Sequence, residues 1–244
     1  MNATMRAPSV TAHMGFTAQP EGQMCFSASA SFATAIGTGA IGILALSRAQ
    51  RIREFPLAAI PLIFAVQQTA EGLLWLDLAA HGPTPLVSPL ANIFAAVALS
   101  LWPSYAPLSV ALTEENRERR LAMWALFAIG ALLSTYGLWG LAAHPYGVCI
   151  AGHSLLYSNG TSYPPIAMAA YIACTCLPFI LSTHTALRWF GLIVVVGLIV
   201  SSVLYYSVFF SVWCFFAAGG SLVIYGHFSR LKSARPIKIA RQLF

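Results

Sequence analysis

Residues Ala65–Gly82 read AVQQTAEGLLWLDLAAHG, and the fold turns on how this stretch is read. It continues an apolar run that starts near Phe55 and is long enough, at about 1.5 Å per residue, to cross a bilayer. Yet Gln67, Gln68 and Glu71 sit inside it. A carboxylate at membrane depth costs roughly 3 kcal/mol even on lenient insertion scales, so it faces other helices and not lipid. Gln67 and Gln68 precede Glu71 by four and three residues, and Trp75 follows it by four. At helical spacing all four share one stripe. The expectation is an inward-facing polar pocket with two amides, a carboxylate and an aromatic lid, about 12 Å below the nearer membrane face. With no Lys or Arg inside a span to pair with it, the carboxyl is expected to be protonated.

Composition supports the membrane reading. Of 244 residues, 58% are hydrophobic and only 8% charged, against about 25% charged in soluble domains. The formal net charge of +6 is not a nucleic-acid footprint, because the basic residues form short clusters between apolar runs.

Apolar spans are expected at 27–47, 55–79, 86–112, 121–143 and 164–182. A last apolar region, 189–227, has no Lys, Arg, Asp or Glu. As one helix it would approach 60 Å, about twice the hydrocarbon thickness, so it is divided in two with a turn near 205–211. The result is an all-α integral membrane protein, a seven-transmembrane-helix bundle. Seven spans put Arg48, Arg51, Arg53, Arg117, Arg119, Arg120, Arg188 and the basic tail 230–244 on one side, leaving only Arg6 opposite. By the positive-inside rule that side is cytoplasmic, with the N-terminus out and the C-terminus in. The compartment is the cell inner (cytoplasmic) membrane. Residues 1–23 carry no apolar signal-peptide core and are expected to be a disordered extension, with the organised protein beginning at Met24. The membrane domain is 24–229.

The outer face carries HGPTPLVSP, 81–89, and the longer HPYGVCIAGHSLLYSNGTSYPP, 144–165. The second is partly alternating and expected to form a short hairpin over the bundle, a lid or binding loop more than a plain connector. Matching depths along the spans brings Tyr171 and Cys214 to the level of Glu71, with Ser201 and Tyr205 beside them. The ligand-binding candidates are therefore Gln67, Gln68, Glu71, Trp75, Tyr171 and Cys214. The bland alternative is that such polar groups only bond neighbouring helices, at about 1 kcal/mol each. Within span three, LWPSYAP places Pro103 and Pro107 four residues apart, which kinks the helix and frees carbonyls. Gly219–Gly220 permits close helix approach.

Metal ligation is a weaker reading. Cys149 and His153 form a CxxxH pair, with Cys25 on the same side, but zinc takes three or four ligands. A solvated loop histidine is the more usual state of such a residue, and a Cys25–Cys149 disulfide is a further use of these cysteines in an oxidising compartment.

The stretches MCFSASASF (24–32), PLAAIPLIFAVQQTAEGLLW (56–75) and SVWCFFAA (211–218) resemble an uncharacterised family of bacterial multi-pass membrane proteins whose members open with MCFSA. The resemblance covers about 24–229 and implies no known activity. A retinal protein of the microbial rhodopsin type is excluded, because the only lysines, Lys232 and Lys238, lie in the tail. The zinc-dependent ceramidase type is disfavoured by the lack of an HxxxH pair. Three functions stay open: a sensor binding a small molecule from the outer side and signalling through a protein partner, an intramembrane metal-dependent hydrolase, and a proton-coupled transporter.

Overall fold

The computed structural model describes residues 28–151, 154–159, 164–204 and 209–242. The chain is an all-α bundle capped at one end by a two-stranded hairpin. Helix α1 is Ala28–Arg48; after a short 3-10 turn, α2 runs Phe55–His81. Helix α3 (Val87–Ala95) passes through a π-helical segment, Ala96–Leu101, into α4 (Trp102–Thr113). Helix α5 is Arg117–Ala143, strands β1 and β2 are Gly147–Ala151 and Ser154–Ser158, and α6 is Pro165–Leu181. Helices α7 (Thr185–Leu204), α8 (Phe209–Gly219) and α9 (Ser221–Gln242) complete it. Among the described residues, six helical stretches are long and apolar enough to cross a membrane: 28–48, 52–81, 87–113, 117–143, 185–204 and 212–232. Helix α6 is apolar but shorter, at 17 residues. This is the pattern of a multi-pass membrane protein.

The expected spans fall close to these bounds, with three corrections. Helix α5 begins at Arg117, four residues before the apolar run, because Asn116 caps it by accepting from the Arg119 N–H at 3.0 Å. Helix α9 outruns the last apolar region, which ends at 227, and reaches Gln242. The third lies at Gly219–Gly220, where α8 gives way to α9. The Gly220 N–H still bonds the Phe216 carbonyl at 3.1 Å and the Val223 N–H the Gly220 carbonyl at 3.0 Å, so the axis is jointed, not broken. Of the turn expected near 205–211, residues 205–208 lie outside the described residues and 209–211 belong to α8; the whole of the N-terminal extension and Cys25 lie outside them too.

Proline chemistry explains the π segment. In an α-helix the Pro103 ring would collide with the Leu99 carbonyl, and a wider i+5 register relieves that crowding. In that register the donor to the Ala98 carbonyl would be Pro103, which has no N–H. The Tyr171 hydroxyl supplies the missing bond instead. Pro107 likewise leaves the Pro103 carbonyl without a helical donor, and α5 brings Gly130 against it. Close approach recurs between α1 and α2, where Gly42 faces Leu62 and Gly72 faces the Phe32 ring. Small residues at such seams let membrane helices pack without help from the hydrophobic effect.

The end that carries the basic loops is held by a buried carboxylate. Glu114, 2% exposed, accepts from the Asn116 N–H (3.1 Å), the Ser182 hydroxyl (3.2 Å), the Thr183 N–H (2.9 Å) and the Thr183 hydroxyl (2.6 Å). Burial alone would push this carboxyl up. Those four hydrogen bonds together outweigh it and hold the group below its ordinary range. Nearby, Arg119 donates to the Leu181 carbonyl at 2.8 Å, and His184 meets the Thr113 carbonyl at 3.1 Å and the His227 ring at 4.9 Å.

Candidate functional site

The stripe on α2 faces inward as its spacing requires: Gln67, Gln68 and Glu71 are 0%, 1% and 3% exposed. Gln68 Nε2 donates to Glu71 Oε2 at 3.1 Å. Gln67 Oε1 accepts from the Trp102 indole N–H at 3.4 Å, and the Trp102 ring stacks on Phe64 with centroids 4.4 Å apart. The other half of the Gln67 amide is unsatisfied. Its Nε2 lies beside the buried Cys214 thiol of α8 without the geometry of a hydrogen bond, so it has no hydrogen-bond partner among the described residues.

The roof comes from the hairpin. Strands β1 and β2 pair antiparallel with Val148 opposite Tyr157 and Cys149 opposite Leu156. Alternation sends one face inward: Val148 and Leu155 are buried with Leu74, Leu78, Val87 and Ala91. Tyr157 points the same way and stacks on Phe94, with centroids 4.5 Å apart and planes 13° from parallel. Its hydroxyl is buried and has no hydrogen-bond partner among the described residues. Burial first, then the negative charges that Glu71 and Cys214 would carry, raise this phenol well above the usual tyrosine range, so it is a neutral donor at physiological pH. The hairpin base is fixed where Asn92 accepts from the Tyr146 N–H at 2.8 Å and Asn159 donates to the His144 carbonyl at 3.4 Å.

Gln68 and Glu71 are thus bonded to each other, with Gln67 and Cys214 in the same neighbourhood. Trp75 and Tyr171 are placed differently. Trp75 is half-buried against the Leu74–Val148 cluster, on which Tyr157 also packs. Tyr171 spends its hydroxyl on the Ala98 carbonyl and sets its ring edge against Trp213 at 5.9 Å. It lines a neighbouring cavity of about 40 Å³ with Trp102, Phe190 and Cys214. Ser201 is buried on α7, and its hydroxyl has no hydrogen-bond partner among the described residues. Tyr205 lies outside the described residues.

Cys149 is exposed on the opposite hairpin face from Tyr157, and His153 and Cys25 lie outside the described residues. Among the described residues no three His, Cys, Asp or Glu side chains come together in a way that could hold a metal. The residue that depth matching missed, Tyr157, had a signal in the alternation of SLLYS, whose second and fourth positions share a face. Trp102 had none beyond its place before Pro103.

No curated protein and no solved structure matches the chain. A family model does, across residues 24–239. By that match the chain belongs to DUF6629, a family of unknown function.

Proposed function

We propose that the chain crosses the inner (cytoplasmic) membrane seven times, N-terminus out and C-terminus in, and binds a small polar molecule at the Glu71 cluster beneath the hairpin. The observation that carries this is a pair of orphaned donors. The Gln67 amide N–H groups and the Tyr157 hydroxyl are buried, lack acceptors among the described residues, and gather around Glu71 and Cys214. Each such group costs about 1–3 kcal/mol when unsatisfied. A ligand offering lone pairs to both donors, and a complementary group to Glu71, recovers that cost. A water molecule is the smallest species able to do so; a sensor adds a larger molecule of the same donor–acceptor pattern, admitted when Tyr157 withdraws. With no output domain among the described elements, signalling passes through a protein partner.

The test follows from sign. Tyr157→Phe keeps the ring on Phe94 and removes only the hydroxyl. If that hydroxyl awaits a ligand, ligand-free protein gains about 1 kcal/mol, seen as an apparent Tm about 2–4 °C higher in detergent. A lower Tm would mean that the hydroxyl is already bonded within the fold, and the binding reading would fail.

A further inference from the structure

A second cavity, of about 170 Å³, lies between the π segment and the hairpin-end half of α5, and none of the Glu71 cluster lines it. Its origin can be traced along α5. At Gly130 the helix touches the Pro103 carbonyl, so closely that a side chain would overlap it. Three turns further on, a Cβ at Gly140 would meet nothing within 4 Å, although Gly140 lines the cavity. A glycine inside a helix costs about 1 kcal/mol relative to alanine. At Gly130 close packing returns that cost; at Gly140 the missing side chain yields only space.

The walls state what the space accepts. No Asp, Glu, Lys or Arg lines it, so no charge awaits a counterion. Tyr136, Trp139 and Tyr146 supply aromatic faces, while Ser100 of the π segment and His144 and Asn159 at the hairpin base supply hydrogen-bonding groups. Trp139 is 68% exposed and Tyr136 48%, at the end of a spanning helix where amphipathic rings sit at the level of lipid headgroups. Leu138 and Leu132 continue the exposed apolar flank down the same helix. The volume is comparable with the roughly 150 Å³ cavity known to take up one benzene. It holds one compact head moiety and no whole lipid.

We infer that this cavity is a binding site for the headgroup of an uncharged, hydroxyl-bearing lipid of the acylglycerol class. The glycerol hydroxyls meet Ser100, His144 and Asn159, and the acyl chain leaves past Trp139 along the exposed flank of α5. The site is independent of the Glu71 cluster, and its failure would leave that reading untouched.

The test uses full-length protein in nanodiscs and a monoacylglycerol carrying a diazirine near its ester and a terminal alkyne. Photolabelling is expected within 136–146 and is competed by unlabelled monoolein but not by phosphatidylglycerol at equal mole fraction. Gly140→Leu fills the cavity without meeting a neighbour at its Cβ and is expected to cut labelling at least about fivefold while the apparent Tm holds or rises. Tyr136→Ala, at a half-exposed position, provides a second variant with a similar loss should Gly140→Leu fold poorly. Labelling spread evenly over lipid-facing helices, unchanged in both variants, or competed equally by the anionic lipid would overturn the proposal.

Discussion

Gly130→Ala is expected to prevent accumulation of stably folded protein, a larger effect than any other single methyl group added to the bundle. A Cβ at residue 130 would stand 1.8 Å from the Pro103 carbonyl oxygen and 2.5 Å from its carbon. Both are backbone atoms, so no side-chain rotation relieves the overlap; α5 and α4 must part. The same seam holds the Ser134–Ser104 hydroxyl bond at 2.9 Å, which parting would break. Overpacking commonly costs about 1–3 kcal/mol where side chains can adjust. Here the loss should exceed about 3 kcal/mol, a large share of a typical total stability of about 5–15 kcal/mol. Gly37→Ala is the control, because a Cβ there meets nothing within 4 Å, and it should stay within about 1 kcal/mol of wild type. Yield of monodisperse protein and the apparent Tm in detergent distinguish the two. Equal behaviour of both variants would mean that α4 and α5 do not touch at Pro103.

The next largest effect is expected at Glu114. Glu114→Ala removes one buried acceptor and strands four donors: the Asn116 and Thr183 N–H groups and the Ser182 and Thr183 hydroxyls. Leaving such groups without an acceptor should cost about 3–5 kcal/mol, since the carboxylate ties the loop after α4 to the loop after α6. The same contacts set a pH dependence. The folded-state pKa lies below the ordinary value of 4.5, so the unfolded chain binds the proton more readily. Stability from this group is therefore complete above that ordinary value and is lost as pH falls from it through the lower, folded one. The apparent Tm of wild type should fall over that acid range more steeply than that of Glu114→Gln. Parallel acid profiles would show that the carboxylate is not held in its ionised form.

Much of this was readable in the chain, and the exceptions share a cause. Length and hydropathy marked the six long apolar helices, because bilayer thickness acts on composition alone. The inward face of Gln67, Gln68 and Glu71 followed from 3.6-residue periodicity, and the hairpin from alternation in GVCIA and SLLYS. What was hidden depends on pairing between distant segments. Tyr171 sat at the right depth for the Glu71 cluster, but the π segment opened a carbonyl that captured its hydroxyl. Tyr157 entered the site through strand register, which depth along helices does not encode. Glu114 stands in TEENRERR among surface charges, and nothing local marks it as the one that STHT, almost 70 residues later, would bury.

A thermal-shift screen of purified full-length protein bears most directly on whether the Glu71 cluster is a binding site. The panel consists of small uncharged and cationic molecules rich in hydrogen-bond acceptors, run in parallel on wild type, Glu71→Gln and Tyr157→Phe. A binder present at about ten times its Kd adds roughly 1.4 kcal/mol, or about 3–6 °C. The prediction is at least one molecule that gives such a rise in wild type and less than about a third of it in both variants. Molecules that stabilise all three proteins alike, or none that stabilises wild type, would contradict it and leave Gln67, Glu71 and Tyr157 as packing between helices.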